Sequence, residues 1–219
     1  MSSTDTIHVL LLGGADLVHM TMSPDQDGRA TPSLEERLEE ASGGAVSAQV
    51  VHRPIETLSE LASIVDEVDV PAGSVAVLSV SCALPEASEH EDVEAWFSDT
   101  MASVIASLKA RGAHVLIANA STYDPSERTH CYQGTPDPPA LTLQRLDLAL
   151  IELSVLDGIS VIDADRIVAE LGGDRVVDGL LSYRSEVANA LCAEIGRILA
   201  DYRFVESGPL VPQTGRRKD

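Results

Sequence analysis

The feature that most constrains the fold of this chain is a regular alternation of short apolar runs with longer amphipathic segments. Two of the apolar runs, VAVLSV and HVLIANA, are apolar almost throughout and rich in β-branched residues. Such runs are typical of central parallel strands, which are buried on both faces. Because segments of helical periodicity lie between the runs, the pattern indicates βαβ units built around a parallel sheet.

The boundaries of the elements follow from the same pattern. Strands are predicted over residues 7–12, 46–52, 74–81, 114–120 and 159–163. Helices are predicted over residues 33–41, 57–68, about 89–111, 141–156 and from 185 onward. We therefore predict a single doubly wound α/β domain over residues 1–205, followed by a flexible tail over residues 206–219.

Composition excludes several classes of function. The formal net charge of −20 repels nucleic acid and anionic membranes, so neither is expected as a partner. Three cysteines without CxxC spacing indicate neither a disulfide scaffold nor a zinc site. Walker, GxGxxG and HExxH motifs are absent from the sequence, so no cofactor and no metal are predicted.

The sequence also bears on where the protein is found. Its first residues, MSSTDTIHVLLL, contain no basic segment of the kind that opens a signal peptide. No stretch approaches the roughly 20 apolar residues of a membrane span. We therefore expect a cytoplasmic protein.

Two predicted loops are longer than a compact fold requires. Residues 18–32 follow the first strand and residues 121–140 follow the fourth. Both loops leave the carboxyl ends of strands, which is where open α/β sheets bind ligands. This edge of the sheet is therefore the predicted functional site.

The chain resembles one known family in the order of its blocks. The segment LTLQRLDLALIELSVLDGISVIDADRIVAELGGDRVVDGLLSYRSEVANALCAEIGRIL resembles the last third of the SGNH (GDSL-type) hydrolases. IHVLLLGGADL, QVVHRPIETLSEL and VAVLSVSCALPE resemble the family's first three blocks. The resemblance implies a flavodoxin-like three-layer sandwich with a five-stranded parallel sheet in the order 2-1-3-4-5.

The residues that name this family are not found at the matching positions. The nucleophilic serine falls on Ala15, the oxyanion-hole glycine falls within 54–56, and the oxyanion-hole asparagine falls on Ala83. In the final Asp-x-x-His pair the aspartate matches Asp178, but the histidine falls on Leu181. Serine attack needs a hydroxyl, a base and oxyanion donors. The match therefore predicts that ordinary ester hydrolysis is absent.

Other residues near the predicted site could supply chemistry. Asp16 and His19 follow the first strand and could form an acid/base pair, or else a loop cap and a surface histidine. Cys82 ends the third strand and could replace the serine if His19 or His130 lay near it. A buried apolar role for Cys82 is the alternative.

The loop after the fourth strand combines titratable and polar groups. His130 and Tyr132 could belong to a lid over a substrate. Asn119 and Tyr123, near the mouth of the same strand, could fix a polar substrate, although Asn119 could equally cap the strand end.

The segment that matches the family's base-bearing loop holds Asp178, Tyr183 and Arg184. A guanidinium binds carboxylates with two hydrogen bonds, so Tyr183 and Arg184 could hold a carboxylate-bearing ligand. The alternative is that these residues simply begin the last helix.

Three functions remain open at this point. The first is a repurposed tailoring or biosynthetic enzyme that uses acid/base chemistry on a small-molecule substrate. The second is a non-catalytic protein that binds a small ligand or a partner protein, and the third is a hydrolase with Cys82 as nucleophile. A homodimer is also possible. The predicted catalytic residues are Asp16, His19, His130 and Asp178. The predicted substrate-binding residues are Cys82, Asn119, Tyr123, Tyr132, Tyr183 and Arg184.

Overall fold

A central parallel sheet organises the molecule. In the computed structural model, residues 5–18, 33–41, 46–123 and 139–207 are described. The strands of the sheet are β1 (Asp5–Gly13), β2 (Val46–Pro54), β3 (Val75–Ser79), β4 (His114–Ala118) and β5 (Ser160–Ile162). Their order is β2-β1-β3-β4-β5 and every pairing is parallel. The predicted sheet and its strand order are confirmed.

Helices cover both faces of the sheet. They are α1 (Ala15–Val18), α2 (Leu34–Ala41), α3 (Leu58–Ile64), α4 (Val93–Ala110), α5 (Pro139–Asp157), α6 (Ala164–Leu171) and α7 (Ser185–Ser207). One hydrophobic cluster joins the sheet to α3, α4 and α5, and a second joins it to α1, α2, α6 and α7. This is the three-layer arrangement that the sequence resemblance implies.

The alternation of side chains along β1 explains the two cores. Val9 and Leu11 pack into the cluster with α2, α6 and α7, whereas Leu10 and Leu12 pack into the cluster with α3, α4 and α5. Successive side chains of a strand point to opposite faces. A strand in the middle of a doubly wound sheet must therefore be apolar at nearly every position, as this one is.

Several element boundaries differ from the prediction. β3 ends at Ser79 and continues as a 3₁₀ turn over Val80–Ala83. α4 begins at Val93, because the Asp92 side chain accepts the backbone N–H of Ala95 at 3.1 Å and caps the helix there.

Two features near the carboxyl terminus were not predicted at all. α6 forms where a loop was expected, and a hairpin of β6 (Val177–Gly179) and β7 (Ser182–Tyr183) precedes α7. α7 extends to Ser207, beyond the predicted domain end at residue 205. The rest of the predicted tail lies outside the described residues.

The outer edge of the sheet is closed by a helix. β2 is an edge strand, and α2 packs beside it. The Glu35 carboxylate on α2 accepts the backbone N–H of Val50 at 2.9 Å. A side chain thus occupies a position where a further strand could pair.

Candidate functional site

The carboxyl ends of β1 and β3 lie side by side where the strand order reverses. This is the topological switch point, where open α/β sheets bind ligands. β1 ends at Gly13, and α1 begins two residues later. A Cβ at Gly13 would lie 2.9 Å from the Cβ of Ser79 and 2.6 Å from Leu17 Cδ1. Glycine at this position therefore lets α1 pack directly against the end of β3.

This close packing brings one carboxyl group against two hydroxyl groups. Asp16, in the first turn of α1, is 2% exposed. Its carboxyl group is hydrogen-bonded to Ser79 Oγ and, at 2.8 Å, to Ser81 Oγ. The two hydroxyl oxygens lie 2.8 Å apart, and the backbone N–H of Ser81 donates to Ser79 Oγ at 3.0 Å. We call Asp16, Ser79 and Ser81 the switch-point ring.

The number of protons in the switch-point ring indicates its charge. The ring has three oxygen–oxygen contacts, whereas the two serines supply two hydroxyl protons. If Asp16 is protonated, its O–H donates to Ser79, Ser79 donates to Ser81 and Ser81 donates back to Asp16. If Asp16 is ionised, one contact has no proton and two oxygens repel each other. The geometry therefore favours the neutral acid.

The electrostatic environment agrees with this proton count. Burial raises the pKa of the Asp16 carboxyl above its usual value, although the hydrogen bonds from Ser79 and Ser81 oppose the shift. A neutral carboxyl group in a dry site can act as a proton donor.

Cys82 lies beside the ring but is not placed as a nucleophile. Its side chain is buried in the core, and its Sγ donates to the backbone carbonyl of Ser79 at 3.0 Å. Burial raises the pKa of the thiol. A nucleophilic cysteine needs a lowered pKa. The structure therefore favours the buried apolar role over the hydrolase with a Cys82 nucleophile.

Tyr183 reaches the same edge of the sheet from β7. Its side chain is buried, and its hydroxyl oxygen accepts the backbone N–H of Ser121 at 3.0 Å. Burial raises the pKa of this phenol. Tyr183 thus stays protonated and supports the segment that follows β4, which differs from the predicted role of contacting a ligand with Arg184.

The segment after β4 is held by acidic side chains, and we call this arrangement the β4-end shell. The Asp147 carboxylate on α5 accepts the backbone N–H of Ala120 at 3.4 Å, and Asp165 on α6 accepts that of Thr122 at 2.8 Å. Burial, followed by the charges of Asp165 and Asp163, raises the pKa of Asp147 to about 7. Asp147 therefore titrates close to neutral pH.

Asn119 makes the contacts of a cap at the start of α6. Its Oδ1 accepts the backbone N–H of Ala164 at 2.5 Å and that of Asp165 at 3.3 Å. Its Nδ2 donates to Asp163 Oδ1 at 3.1 Å. These hydrogen bonds use both the oxygen and the nitrogen of the Asn119 side chain, and they hold the start of α6 against the end of β4. A capping role for Asn119 was the alternative to substrate binding.

Two further predicted residues pair with each other at the surface. Arg184 Nε donates to Asp178 Oδ1 at 2.8 Å, and their side chains are 49% and 42% exposed. The catalytic role of Asp178 and the carboxylate-binding role of Arg184 stay predictions, and in the structure the two side chains pair with each other in solvent. Leu181, at the tip of the same hairpin, adopts a positive φ of 62° and packs against the core.

Of the remaining predicted residues, Tyr123 lies in the described part of the chain. The ring of Tyr123 packs against Gly173, where a Cβ would lie 2.7 Å from Tyr123 Cε1. His19, His130 and Tyr132 lie outside the described residues.

Residues that the sequence did not single out form most of the site. Ser79, Ser81, Ser121 and Asp147 were not predicted, although serines that alternate at a strand end, as in LSVS, are a usable signal. Ala83, the position matched to the oxyanion-hole asparagine, points into the core. Ser79 and Ser81 contact the first turn of α1 instead.

Some chemistry is missing from the described part of the chain. Within it, no hydrogen bond joins a histidine to Ser79 or Ser81, and no group of three or more His, Cys, Asp or Glu side chains could hold a metal ion. None of the described helices is long and apolar enough to cross a bilayer.

Comparison with solved structures identifies the fold. A lipase/acylhydrolase from Enterococcus faecalis aligns with a TM-score of 0.63 at 14% identity, covering 90% of this chain and 96% of its own. Est24, a carbohydrate acetylesterase from Sinorhizobium meliloti, aligns with a TM-score of 0.58 at 11% identity, covering 90% and 99%. A member of the lipolytic G-D-S-L family from Veillonella parvula aligns with a TM-score of 0.56 at 14% identity, covering 91% and 97%.

The chain therefore has the SGNH/GDSL hydrolase fold. At these identities the likeness concerns the fold alone. No protein-family profile matches the chain, and no curated protein shows significant similarity to it.

Proposed function

We propose that this protein is a small-molecule enzyme that uses acid/base chemistry at the switch point of an SGNH fold, with Asp16 as proton donor. The observation that carries the proposal is the switch-point ring: burial raises the pKa of its carboxyl group, and its three oxygen–oxygen contacts need one proton more than the two serines supply. Neutral carboxyl groups at the ligand-binding edge of a sheet are characteristic of general acids.

The ring can deliver a proton although Asp16 is buried. Ser81 is the most exposed member at 6%, whereas Ser79 is fully buried. Ser81 gives its hydroxyl proton to a basic atom of the ligand, Ser79 passes its proton to Ser81, and Asp16 protonates Ser79. Three protons move by one hydrogen bond each, and the negative charge ends on Asp16. A base in solution or on the substrate then restores the carboxyl proton.

The comparisons support a small molecule as the substrate. Two of the aligned structures are a lipase/acylhydrolase and a carbohydrate acetylesterase. In this chain, however, no histidine among the described residues is hydrogen-bonded to Ser79 or Ser81. The serines also lack an activating base, because the carboxyl group they contact is neutral. This supports proton transfer over serine attack.

A second candidate, a non-catalytic ligand-binding protein, is favoured by one observation. Every proton of the switch-point ring is used within the ring, and its three side chains are almost completely buried. A self-satisfied cluster of this kind can simply join α1 to β3.

Turnover of small molecules by matched variants separates the two candidates. The wild-type protein and Asp16→Asn are incubated with a bacterial metabolite extract, and mass spectrometry follows which compounds are consumed or formed. We expect conversion by the wild type and at least a hundredfold slower conversion by Asp16→Asn, because general acid catalysis contributes roughly 10²–10⁴-fold. Asp99→Asn, at an exposed position of α4, is the matched control.

Two further reagents test the absence of serine chemistry. Short-chain p-nitrophenyl esters should not be hydrolysed, and a fluorophosphonate probe should not label the protein. Stoichiometric labelling of Ser79 or Ser81 would contradict the proposal and favour an esterase. Equal conversion of metabolites by wild type and Asp16→Asn, or none by either, would favour the binding protein.

A further inference from the structure

The outer face of α5 presents a continuous row of apolar side chains to solvent. We call these residues the α5 stripe; they are Leu141, Leu148, Ile151, Val155 and Leu156, with exposed fractions of 41%, 64%, 56%, 78% and 82%. Five of the seven exposed large hydrophobic residues among the described ones belong to this single helix.

The opposite face of α5 is equally apolar. Leu143, Leu146, Leu150 and Leu153 are buried against the sheet and α4. A helix that is apolar all round is normally covered on all sides. Exposed apolar patches of roughly 300–600 Å² on soluble proteins are commonly functional. The α5 stripe runs along 19 residues, or about 28 Å, and therefore requires a cover.

We infer that the α5 stripe is the interface of a symmetric dimer, in which α5 packs antiparallel against α5 of a second copy of this chain. The inference is independent of the proposed function. It rests on the spacing of the stripe and on the charges beside it.

The spacing is that of a helix–helix seam. Leu141, Leu148 and Val155 are seven residues apart, and Ile151 follows Leu148 by three. Apolar residues with this repeat form a narrow stripe suited to side-by-side helix packing. A two-fold axis between Leu148 and Ile151 places Leu148 of each copy against Ile151 of the other. It also brings Leu141 near the Val155 end of α5 in the second copy.

The charges beside the stripe fit the antiparallel direction. Arg145 and Glu152 are seven residues apart on the same flank of the stripe. An antiparallel two-fold pairing brings Glu152 of each copy over Arg145 of the other, because these positions face their own kind across such a seam. Arg145 is already paired with Glu94 at 2.6 Å and is about one-third exposed.

These opposite charges beside the α5 stripe favour a second copy of this chain over an unrelated protein as the partner. A net charge of −20 opposes association of two copies unless opposite charges meet at the contact. The flank of the stripe supplies that match twice by symmetry, since each copy contributes both the cation and the anion.

Sedimentation velocity of the full chain over about 1–200 µM tests the inference. We expect a dimer that dissociates on dilution, and Leu148→Glu should raise its dissociation constant by roughly a hundredfold or more, because a charge would be buried without a partner. Leu171→Glu is the matched control, since Leu171 is an exposed leucine on α6; it should leave the dimer intact. Val155→Glu repeats the test if Leu148→Glu does not fold.

A cysteine near the proposed axis tests whether the α5 stripe is the face in contact. In a Cys131→Ser background, Leu148→Cys should form a symmetric disulfide-linked dimer on mild oxidation, whereas Leu171→Cys should not. A wild-type monomer at every concentration would overturn the inference. So would a dimer that is insensitive to both stripe variants, or equal cross-linking of the two cysteines.

Discussion

The two acidic clusters at the carboxyl edge of the sheet keep their carboxyl groups in different states. In the switch-point ring, burial raises the pKa of Asp16, and the hydrogen bonds from two hydroxyl groups oppose the rise. In the β4-end shell, burial raises the pKa of Asp147 to about 7; one backbone N–H opposes the rise and the charges of Asp165 and Asp163 add to it. The comparison teaches that burial alone does not define a carboxyl group's role. Hydroxyl partners moderate the shift in the ring, whereas like charges increase it in the shell.

The largest expected effect comes from removing the acid of the ring. At pH 5, Asp16→Ala should lower the free energy of unfolding by about 3 kcal/mol, because it leaves two buried hydroxyl groups and a cavity. Asp16→Asn should be tolerated, since its NH₂ can replace the carboxyl O–H toward Ser79. Urea denaturation measures both values. Equal losses for Ala and Asn would mean that the ring does not contain a neutral acid.

The next effect is the pH dependence of the free energy of unfolding that Asp147 causes. The pKa of Asp147 is raised on folding from a usual value near 4 to about 7. Its contribution to stability is therefore complete below pH 4 and is lost as pH rises through 7. Asp147→Asn removes this loss, so the variant should gain about 4 kcal/mol relative to wild type between pH 4 and pH 8. A pH-independent difference between the two proteins would show that Asp147 titrates normally.

A smaller effect is expected from the cap that joins the shell to α6. Asn119→Ala removes the acceptor of the Ala164 N–H and should cost about 1 kcal/mol of unfolding free energy. Asn119→Asp keeps an acceptor but adds a charge next to Asp163, so it should restore little at pH 7 and more at pH 4. Thermal denaturation at both pH values measures the difference. Full restoration at pH 7 would mean that the acids of the shell do not interact.

The smallest effect is expected at the hairpin, away from both clusters. Arg184→Ala should change the free energy of unfolding by about 0.5 kcal/mol or less, because exposed ion pairs contribute little. A double-mutant cycle with Asp178→Ala measures the coupling between the two residues. A coupling above about 2 kcal/mol would indicate that the pair is buried by a partner or ligand.

The sheet could be predicted from the sequence because burial on both faces leaves a direct pattern. β1, β3 and β4 are apolar at nearly every position, and that pattern alone indicated parallel strands. α6 was missed because the family resemblance implied a loop there, although Asp163 caps the helix locally and Ala164, Ile167, Val168 and Leu171 recur at helical spacing. The further cap from Asn119 could not be predicted, since Asn119 is 45 residues from Ala164. Contacts of this range leave no local signal.

The candidate site could be predicted in position but not in composition. Long loops and the resemblance indicated the carboxyl edge, and Asp16 was recognised there. The partners of Asp16 were missed because Ser79 and Ser81 are 63 and 65 residues away along the chain. Asp147 was missed because an acid within an apolar helix gives no indication of which groups the fold places against it.

The hydrogen bond between Glu35 of α2 and the edge strand β2 bears on how readily the protein aggregates. An unpaired edge strand can template the addition of strands from other molecules, which begins aggregation. Glu35 accepts the Val50 N–H and so occupies one pairing position of β2. In acid, the chain loses the repulsion supplied by its 35 acidic residues. Aggregation should therefore increase on acidification, with the hydrogen bond from Val50 to Glu35 as the local protection left at β2.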